Sequence, residues 1–83
     1  MSLHVVFRET ALHTLARIRR EDTDFFARTR RAIASLPDDP RPGGAVPWGT
    51  TGIYRLHAEN IRILYEIDED AAAIYIINIG LLA

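Results

Sequence analysis

Three nitrogen-rich side chains, Arg55, His57 and Arg62, lie close together in GIYRLHAENIRILYEI (residues 52–67), where most other positions are apolar. Arginine can bind a phosphate through two parallel N–H donors, and an imidazole can accept or donate a proton near neutral pH. If a rigid sheet held these groups side by side, they could bind phosphates and stabilise the charged transition state of phosphodiester chemistry. Their function therefore depends on whether the fold brings all three onto one face.

Alternation of apolar and polar residues predicts two β-strands here, 53–58 and 61–67, joined as a hairpin. Placing the apolar positions of both strands on one face requires a register that pairs Ala58 with Ile61. That register leaves the two-residue loop 59–60, the preferred hairpin connection, in which the asparagine tolerates the positive φ that such loops need. The apolar pattern and the loop length thus predict the same register.

In this register His57 lies opposite Arg62, and Arg55 follows one step further along the same face. A second interpretation is that these residues form an ordinary solvated face, since antiparallel sheets commonly alternate apolar and polar positions. Arg62 could then simply form an ion pair with Glu66 or Glu59. The pattern leaves both interpretations open.

A strand and two helices are predicted before the hairpin. Apolar residues alternate in LHVVFRE (residues 3–9), which indicates a half-buried strand. Thr10 can cap a first helix, and Asp22 or Thr23 a second one that ends at Pro37. The predicted inner faces comprise Ala11, Leu12, Leu15 and Ile18 in the first helix, and Phe25, Phe26, Thr29, Ile33 and Leu36 in the second. The short connection predicts an antiparallel helical hairpin.

Residues 37–52 contain four Pro and four Gly, which predicts a long loop without regular secondary structure. Trp48 is expected to pin this loop to the body of the domain; the alternative is that it forms a stacking platform for a ligand. A short acidic turn and a last strand, 74–79, complete the chain. The prediction is a single α+β domain over residues 1–83, of order β-α-α-β-β-β, with a two-helix hairpin on one face of a small, mostly antiparallel sheet.

Composition excludes several kinds of site. Without cysteine, the chain can form neither disulfides nor thiolate metal sites, which fits a reducing cytoplasm. His4 and His13 are too scattered for a metal site, and no glycine-rich phosphate loop is present. We therefore expect no cofactor and no metal. The longest apolar run, residues 71–83, is too short to span a bilayer as a helix, so we expect a cytoplasmic protein that does not enter the membrane.

The element order, the segment YRLHAENIRILYEI, the acidic turn and the final IYIINIG together resemble the RelE/ParE superfamily of bacterial type II toxin–antitoxin toxins. The resemblance covers essentially the whole chain and is most specific over residues 53–80. It implies a toxin that, in the RelE branch, cleaves ribosome-bound mRNA and inhibits translation. By position, it implies that Arg62 supports the scissile phosphate and that Arg55 and His57 contact RNA. It also implies a cognate antitoxin as partner, with the ribosome and mRNA as further candidates.

Beyond the glycine, RelE-like toxins have another basic residue and a tyrosine, whereas this sequence reads Leu81-Leu82-Ala83. Whether the chain is an enzyme is therefore left open. The first hypothesis is an mRNA interferase, and the second a ParE-like inhibitor of DNA gyrase, which does not need the missing groups. The third is a weakly toxic, non-catalytic module that binds an antitoxin and acts as co-repressor. His57 with Glu59 is an alternative acid–base pair.

The net charge of −1 does not indicate a nucleic-acid binder, yet the basic residues are unevenly distributed. Every basic residue other than histidine is an arginine. Six of these lie in or at the ends of the predicted helices: Arg17, Arg19, Arg20, Arg28, Arg30 and Arg31. They could contact an acidic antitoxin or form a solvated helix face.

Overall fold

The computed structural model describes residues 3–81 of the chain and contains a five-stranded sheet with two helices on one face. The elements are β1 (His4–Phe7), α1 (Glu9–Glu21), α2 (Thr23–Ala34), β2 (Ala45–Pro47), β3 (Ile53–Ala58), β4 (Ile61–Asp68) and β5 (Ala73–Leu81). The strand order is β1-β5-β4-β3-β2, with β1 parallel to β5 and the other neighbours antiparallel. The predicted α+β architecture is confirmed, with one additional strand.

That additional strand, β2, lies within the segment that was predicted to lack regular structure. Its three residues pair antiparallel with β3, so that Val46 faces Arg55. Pro47 has no backbone N–H to donate, which is tolerated here because β2 is the edge strand. The prediction for residues 37–52 was therefore wrong at β2, because a tertiary pairing overrides the local turn signals.

The predicted N-cap residue is correct for the second helix and wrong for the first. Asp22 is the N-cap of α2, and its carboxylate accepts a hydrogen bond from the backbone N–H of Phe25 at 3.0 Å. The cap of α1 is Arg8 rather than Thr10, which lies inside the first turn. Leu12 is 52% exposed and so does not belong to the inner face. Neither helix in the described residues is long and apolar enough to cross a membrane.

The core lies between the helices and the inner face of the sheet. Its buried members are Ala11, Ile18, Phe25, Ile33, Leu36, Leu56, Ile61, Ile63, Tyr65, Ile67, Ile74, Ile76 and Ile79. Thr29 is fully buried among them, and its hydroxyl donates to the carbonyl of Phe25 at 2.8 Å, so this polar group is satisfied within α2. Within residues 3–81, no helix packs against the opposite face of the sheet, which carries the candidate site.

A β-bulge in β5 decides which residues of that strand reach the open face. Leu64 pairs with Asn78 but Tyr65 pairs with Ile76, so Ile77 is an extra residue without a partner. Strict alternation would place Asn78 in the core together with Ile76, where an unpaired amide is costly. The bulge instead moves Asn78 to the open face and returns Ile79 to the core, where it is 5% exposed.

The loop before β2 is fastened to the sheet by polar contacts of two tyrosines. The hydroxyl of Tyr65 donates to the carbonyl of Pro40 at 2.6 Å, and the ring of Tyr54 stacks on that of Tyr65 at 5.9 Å. Arg41 donates to the hydroxyl of Tyr54 and to the carboxylate of Glu69, both at 3.0 Å. These contacts fix where the loop enters β2.

Gly44 lies so close to β3 that a side chain there would displace the loop. A Cβ at this position would clash with the carbonyl oxygen of His57, whereas one at Gly43 would meet nothing within 4 Å. We therefore expect Gly44→Ala to lower the free energy of unfolding by about 1–3 kcal/mol, as overpacking against backbone does. Gly43→Ala is the matched control and should change it by less than about 0.5 kcal/mol. Urea unfolding of both variants checks this, and equal midpoints would contradict it.

Candidate anion-binding site

The hairpin β3–β4 has the predicted register. Ala58 pairs with Ile61 and His57 with Arg62, while Arg55 lies one step further along the same strand. The loop of residues 59–60 is also as predicted, but the positive φ of 59° belongs to Glu59 and not to the asparagine. The expectation that asparagine supplies this conformation was therefore wrong.

Two of the three candidate residues share a cavity on the open face. The cavity has a volume of about 200 Å³ and is lined by Trp48, Arg55, Arg62, Leu64, Asn78, Ile79 and Gly80. The guanidinium of Arg62 lies across Gly80, with its nearest nitrogen 3.4 Å from where a Cβ would stand. His57 is exposed and does not line the cavity, although it stays next to it as the cross-strand partner of Arg62. The structure therefore brings the two arginines together and leaves the histidine at the rim.

The charges of this site are not neutralised by the protein. No carboxylate in residues 3–81 lies within 4.0 Å of the basic nitrogens of Arg55, His57 or Arg62. Glu66, one of the two proposed partners of Arg62, instead lies 3.9 Å from the guanidinium of Arg8. Two arginines facing a cavity without an acidic partner are a local excess of positive charge, and such a site favours an anion.

Trp48 covers Arg55. The guanidinium of Arg55 lies 3.8 Å from the centre of the indole ring, which is within the range of a cation–π contact. The Nε of Arg55 has no accessible surface and no hydrogen-bond partner among the described residues. Trp48 itself remains 46% exposed. The indole thus contacts a residue of the sheet while Trp48 stays partly in solvent, and both predicted roles of Trp48 stay open at this point.

Sequence reasoning missed the contribution of β5, namely Asn78 and Gly80. They reach the cavity because the bulge realigns β5 against β4, so that Gly80 pairs with Arg62. The side-chain oxygen of Asn78 accepts the backbone N–H of Ile79 at 2.9 Å, which leaves its amide nitrogen available to donate. A polar residue in an otherwise apolar strand was the available signal for this placement.

The turn of the hairpin is held to α2 by Arg28. Its Nη1 donates to the side-chain oxygen of Asn60 at 2.6 Å, and its Nε lies 3.3 Å from the carboxylate of Asp24. The side chain of Arg28 is only 22% exposed. This arginine therefore positions the hairpin and does not belong to a freely solvated helix face.

The described residues contain no group of three or more His, Cys, Asp or Glu side chains that could hold a metal ion. The cavity itself offers two guanidinium groups and an aromatic ring, which bind anions and flat rings, and one amide, whose oxygen already accepts the N–H of Ile79. The chemistry that this site can perform is therefore recognition of an anion and stabilisation of negative charge.

A sequence model of the family described as "ParE toxin of type II toxin-antitoxin system, parDE" matches residues 5–81. Because this match covers nearly the whole sequence, the chain belongs to this family, within the RelE/ParE toxin superfamily, and is a toxin of a type II toxin–antitoxin system. No curated protein matches the chain.

Solved structures share the fold. The chain is similar to the isolated RelE toxin of E. coli, with a TM-score of 0.81, 15% identity, and coverage of 99% of this chain and 86% of that one. It is also similar to a YoeB/ParE toxin from Agrobacterium tumefaciens (TM-score 0.82, 14% identity, coverage 98% and 100%). A third similar structure is the RelBE2 toxin–antitoxin complex from Mycobacterium tuberculosis (TM-score 0.79, 20% identity, coverage 98% and 99%). At these identities the likeness establishes the fold alone.

Proposed function

We propose that this toxin is an endoribonuclease that cleaves mRNA on the ribosome and so inhibits translation. One observation carries the proposal: the guanidinium groups of Arg55 and Arg62 face one cavity, and no carboxylate in the described residues pairs with either. A phosphodiester supplies the missing negative charge. Rigid β-strands hold both groups, so little reorganisation is needed when charge develops on the phosphate.

The chemistry requires one nucleophile, one charge-stabilising group and one route for protons. In RNA the 2′-hydroxyl can attack the adjacent phosphorus, forming an O2′–P bond while the P–O5′ bond breaks. Arg62 stabilises the extra negative charge on the phosphate oxygens in the transition state. His57, beside Arg62 on the exposed rim, accepts the 2′ proton as the O2′–P bond forms, and water protonates the departing 5′ oxygen as the P–O5′ bond breaks. Arg55 holds the backbone of the RNA. None of these three residues needs a cofactor for its role.

The protein partner is a cognate antitoxin, which we place on the arginines of the helices. The ring of Phe26 is half-buried, with the guanidinium groups of Arg19 and Arg30 at 5.9 and 6.0 Å from its centre. Both arginines are exposed, and neither pairs with a carboxylate within the described part of the chain. An acidic segment with an apolar anchor fits this surface.

Cleavage of mRNA would be performed in the cytoplasm by the single domain of residues 1–83.

A second candidate is inhibition of DNA gyrase without nuclease activity. The observation that favours it is the matched family itself, which is described by the ParE toxin and not by RelE. Under this hypothesis Arg55 and Arg62 would bind an acidic surface of the target or its DNA, and His57 would need no proton-transfer role. The third hypothesis, a co-repressor of little toxicity, requires only the antitoxin surface.

Induced expression of the wild-type chain in a bacterial host tests the proposal. We expect growth arrest within one generation, with new mRNA 5′ ends that lie at fixed positions within codons. A translation inhibitor that empties mRNA of ribosomes should abolish these ends, because the proposed cleavage depends on the ribosome. Arrest with intact mRNA and relaxed or broken DNA would favour gyrase instead. A folded protein that causes no arrest would favour the co-repressor.

A further inference from the structure

We propose that Trp48 is a base-stacking residue that holds one nucleobase of the RNA while Arg55 and Arg62 hold the adjacent phosphates. The inference rests on the proposed function, which assigns RNA to the cavity, and adds the residue that would contact a base. It goes beyond the simpler interpretation of Trp48 as a pin for the loop, because the residue contacts Arg55 and still stays 46% exposed.

The geometry of the Trp48–Arg55 contact supports this role. One face of the indole is occupied, because the guanidinium lies 3.8 Å from the ring centre. A base can therefore stack only on the other face. A base stacked there would form a layered arrangement of base, indole and guanidinium. The cation below strengthens it, since it fixes the ring and neutralises charge brought by the nucleotide.

The size of the cavity also favours a binding mode in which the phosphate lies inside the cavity and the base lies outside it. A volume of about 200 Å³ is smaller than the ~300–1,000 Å³ of pockets that enclose a whole small-molecule ligand. It can hold a phosphate and part of a sugar against Arg62 and Gly80. The base then has to leave the cavity at its margin, which is where Trp48 stands. The free amide nitrogen of Asn78 can donate to an acceptor atom of the nucleotide inside the cavity.

A protein ligand fits this surface less well. Carboxylates of an acidic protein could pair with the two arginines, but only a nucleotide strand supplies both closely spaced anions and a flat ring for Trp48 in every unit. Single-stranded nucleic acid is bound through this combination of guanidinium groups and an exposed aromatic ring. We therefore assign the surface to single-stranded RNA, and binding of the antitoxin to Trp48 is treated as a competing outcome.

The test uses the purified chain and a six-nucleotide oligoadenylate, with the same oligonucleotide carrying abasic sites as control. Trp48 is the single tryptophan of the sequence, so its fluorescence reports on this ring alone. We expect oligoadenylate to quench the emission and the abasic control, which keeps every phosphate, to leave it unchanged. Inorganic phosphate should compete for the arginines without quenching the indole itself.

Variants are measured by the anisotropy of a labelled oligoadenylate. Removing one stacked base contact should make Trp48→Ala bind about 5- to 150-fold more weakly. Trp48→Phe should recover most of the loss because it restores an aromatic face. Val46→Ala is the matched control: Val46 lies in β2, two residues before Trp48, is also 46% exposed and carries no ring, so the affinity of this variant should equal that of the wild type.

The inference would be overturned by no binding at millimolar oligoadenylate, by binding without quenching, or by equal affinity of Trp48→Ala and the wild type. Emission that changes only with the antitoxin would also overturn it. Cleavage of mRNA on translating ribosomes is measured separately with the wild type and Trp48→Ala. Equal cleavage by both would defeat the role of Trp48 and leave the proposed function intact. Absence of cleavage by the wild type would defeat the proposed function, while the fluorescence titration would still decide the stacking.

Discussion

Replacing Arg62 with alanine should lower the rate of mRNA cleavage by about 100- to 1,000-fold, the loss that follows removal of one donor to a developing oxyanion. The reason is that Arg62 faces the cavity across Gly80 and has no carboxylate partner in the described residues, so its charge is available to the phosphate. Because the side chain is exposed, the free energy of unfolding should change by less than about 0.5 kcal/mol. Growth after induction, rates of cleavage on purified ribosomes and urea unfolding together check this expectation.

Two further variants separate charge from geometry. Arg62→Lys keeps the charge but loses the paired N–H donors, so its cleavage rate should lie between those of alanine and the wild type. Arg20→Ala removes a charge of the same sign from the end of α1, where the side chain is exposed and outside the cavity. It should cleave at the wild-type rate. An Arg62→Ala variant that still arrests growth and cleaves mRNA would contradict the assignment of this residue.

The hairpin could be predicted because two constraints act on the same short segment. The apolar positions of β4 must join those of β3 on one face, and a two-residue loop permits one register that achieves this. Once the register is known, the position of Arg62 opposite His57 follows without further information. The relative positions of Arg55, His57 and Arg62 were therefore set by local sequence, and the structure has the predicted register.

The remaining parts of the site depend on contacts between distant segments. β2 has three residues, one of them Pro47, and its local sequence reads as a turn; only the pairing of Val46 with Arg55 makes it a strand. Without β2 there is no means of placing Trp48 above Arg55. The alternation of apolar and polar residues therefore could not predict this placement, although both alternative roles of Trp48 could be stated from the sequence.

The bulge in β5 shows a related limit. Periodicity alone assigns Asn78 to the same face as Ile76, and the partner strand β4 corrects this by leaving Ile77 unpaired. The sequence does show why a bulge is favourable, since an amide is poorly accommodated among isoleucines. The position of the extra residue cannot be predicted from the sequence, because it is set by the pairing of both strands along their full length.

Tyr65 links the core to the loop that leads to β2, and its ionisation should be visible in stability. Burial raises the pKa of this hydroxyl to about 12, and the neighbouring Tyr54 contributes to the increase. In the unfolded chain a tyrosine ionises near pH ~10. The folded form therefore keeps a proton between pH ~10 and 12 that the unfolded form has already lost. By linkage, this contribution to stability is complete below pH ~10 and disappears as the pH rises to about 12.

Comparison with Tyr65→Phe isolates this effect, because the difference in free energy of unfolding between the two proteins should change sign as the pH rises. Near pH 8 the wild type should be more stable by about 1 kcal/mol, because its hydroxyl donates to the carbonyl of Pro40 at 2.6 Å. Above pH ~10 the wild type should lose about 1.4 kcal/mol per pH unit relative to the variant, which has no proton to release. The two free energies should therefore cross near pH 11, and at pH 12 the phenylalanine variant should be the more stable by about 1–2 kcal/mol. Urea unfolding of both proteins from pH 8 to 12 measures the difference. A difference that stays constant over this range would show that the hydroxyl of Tyr65 is not held protonated by the core.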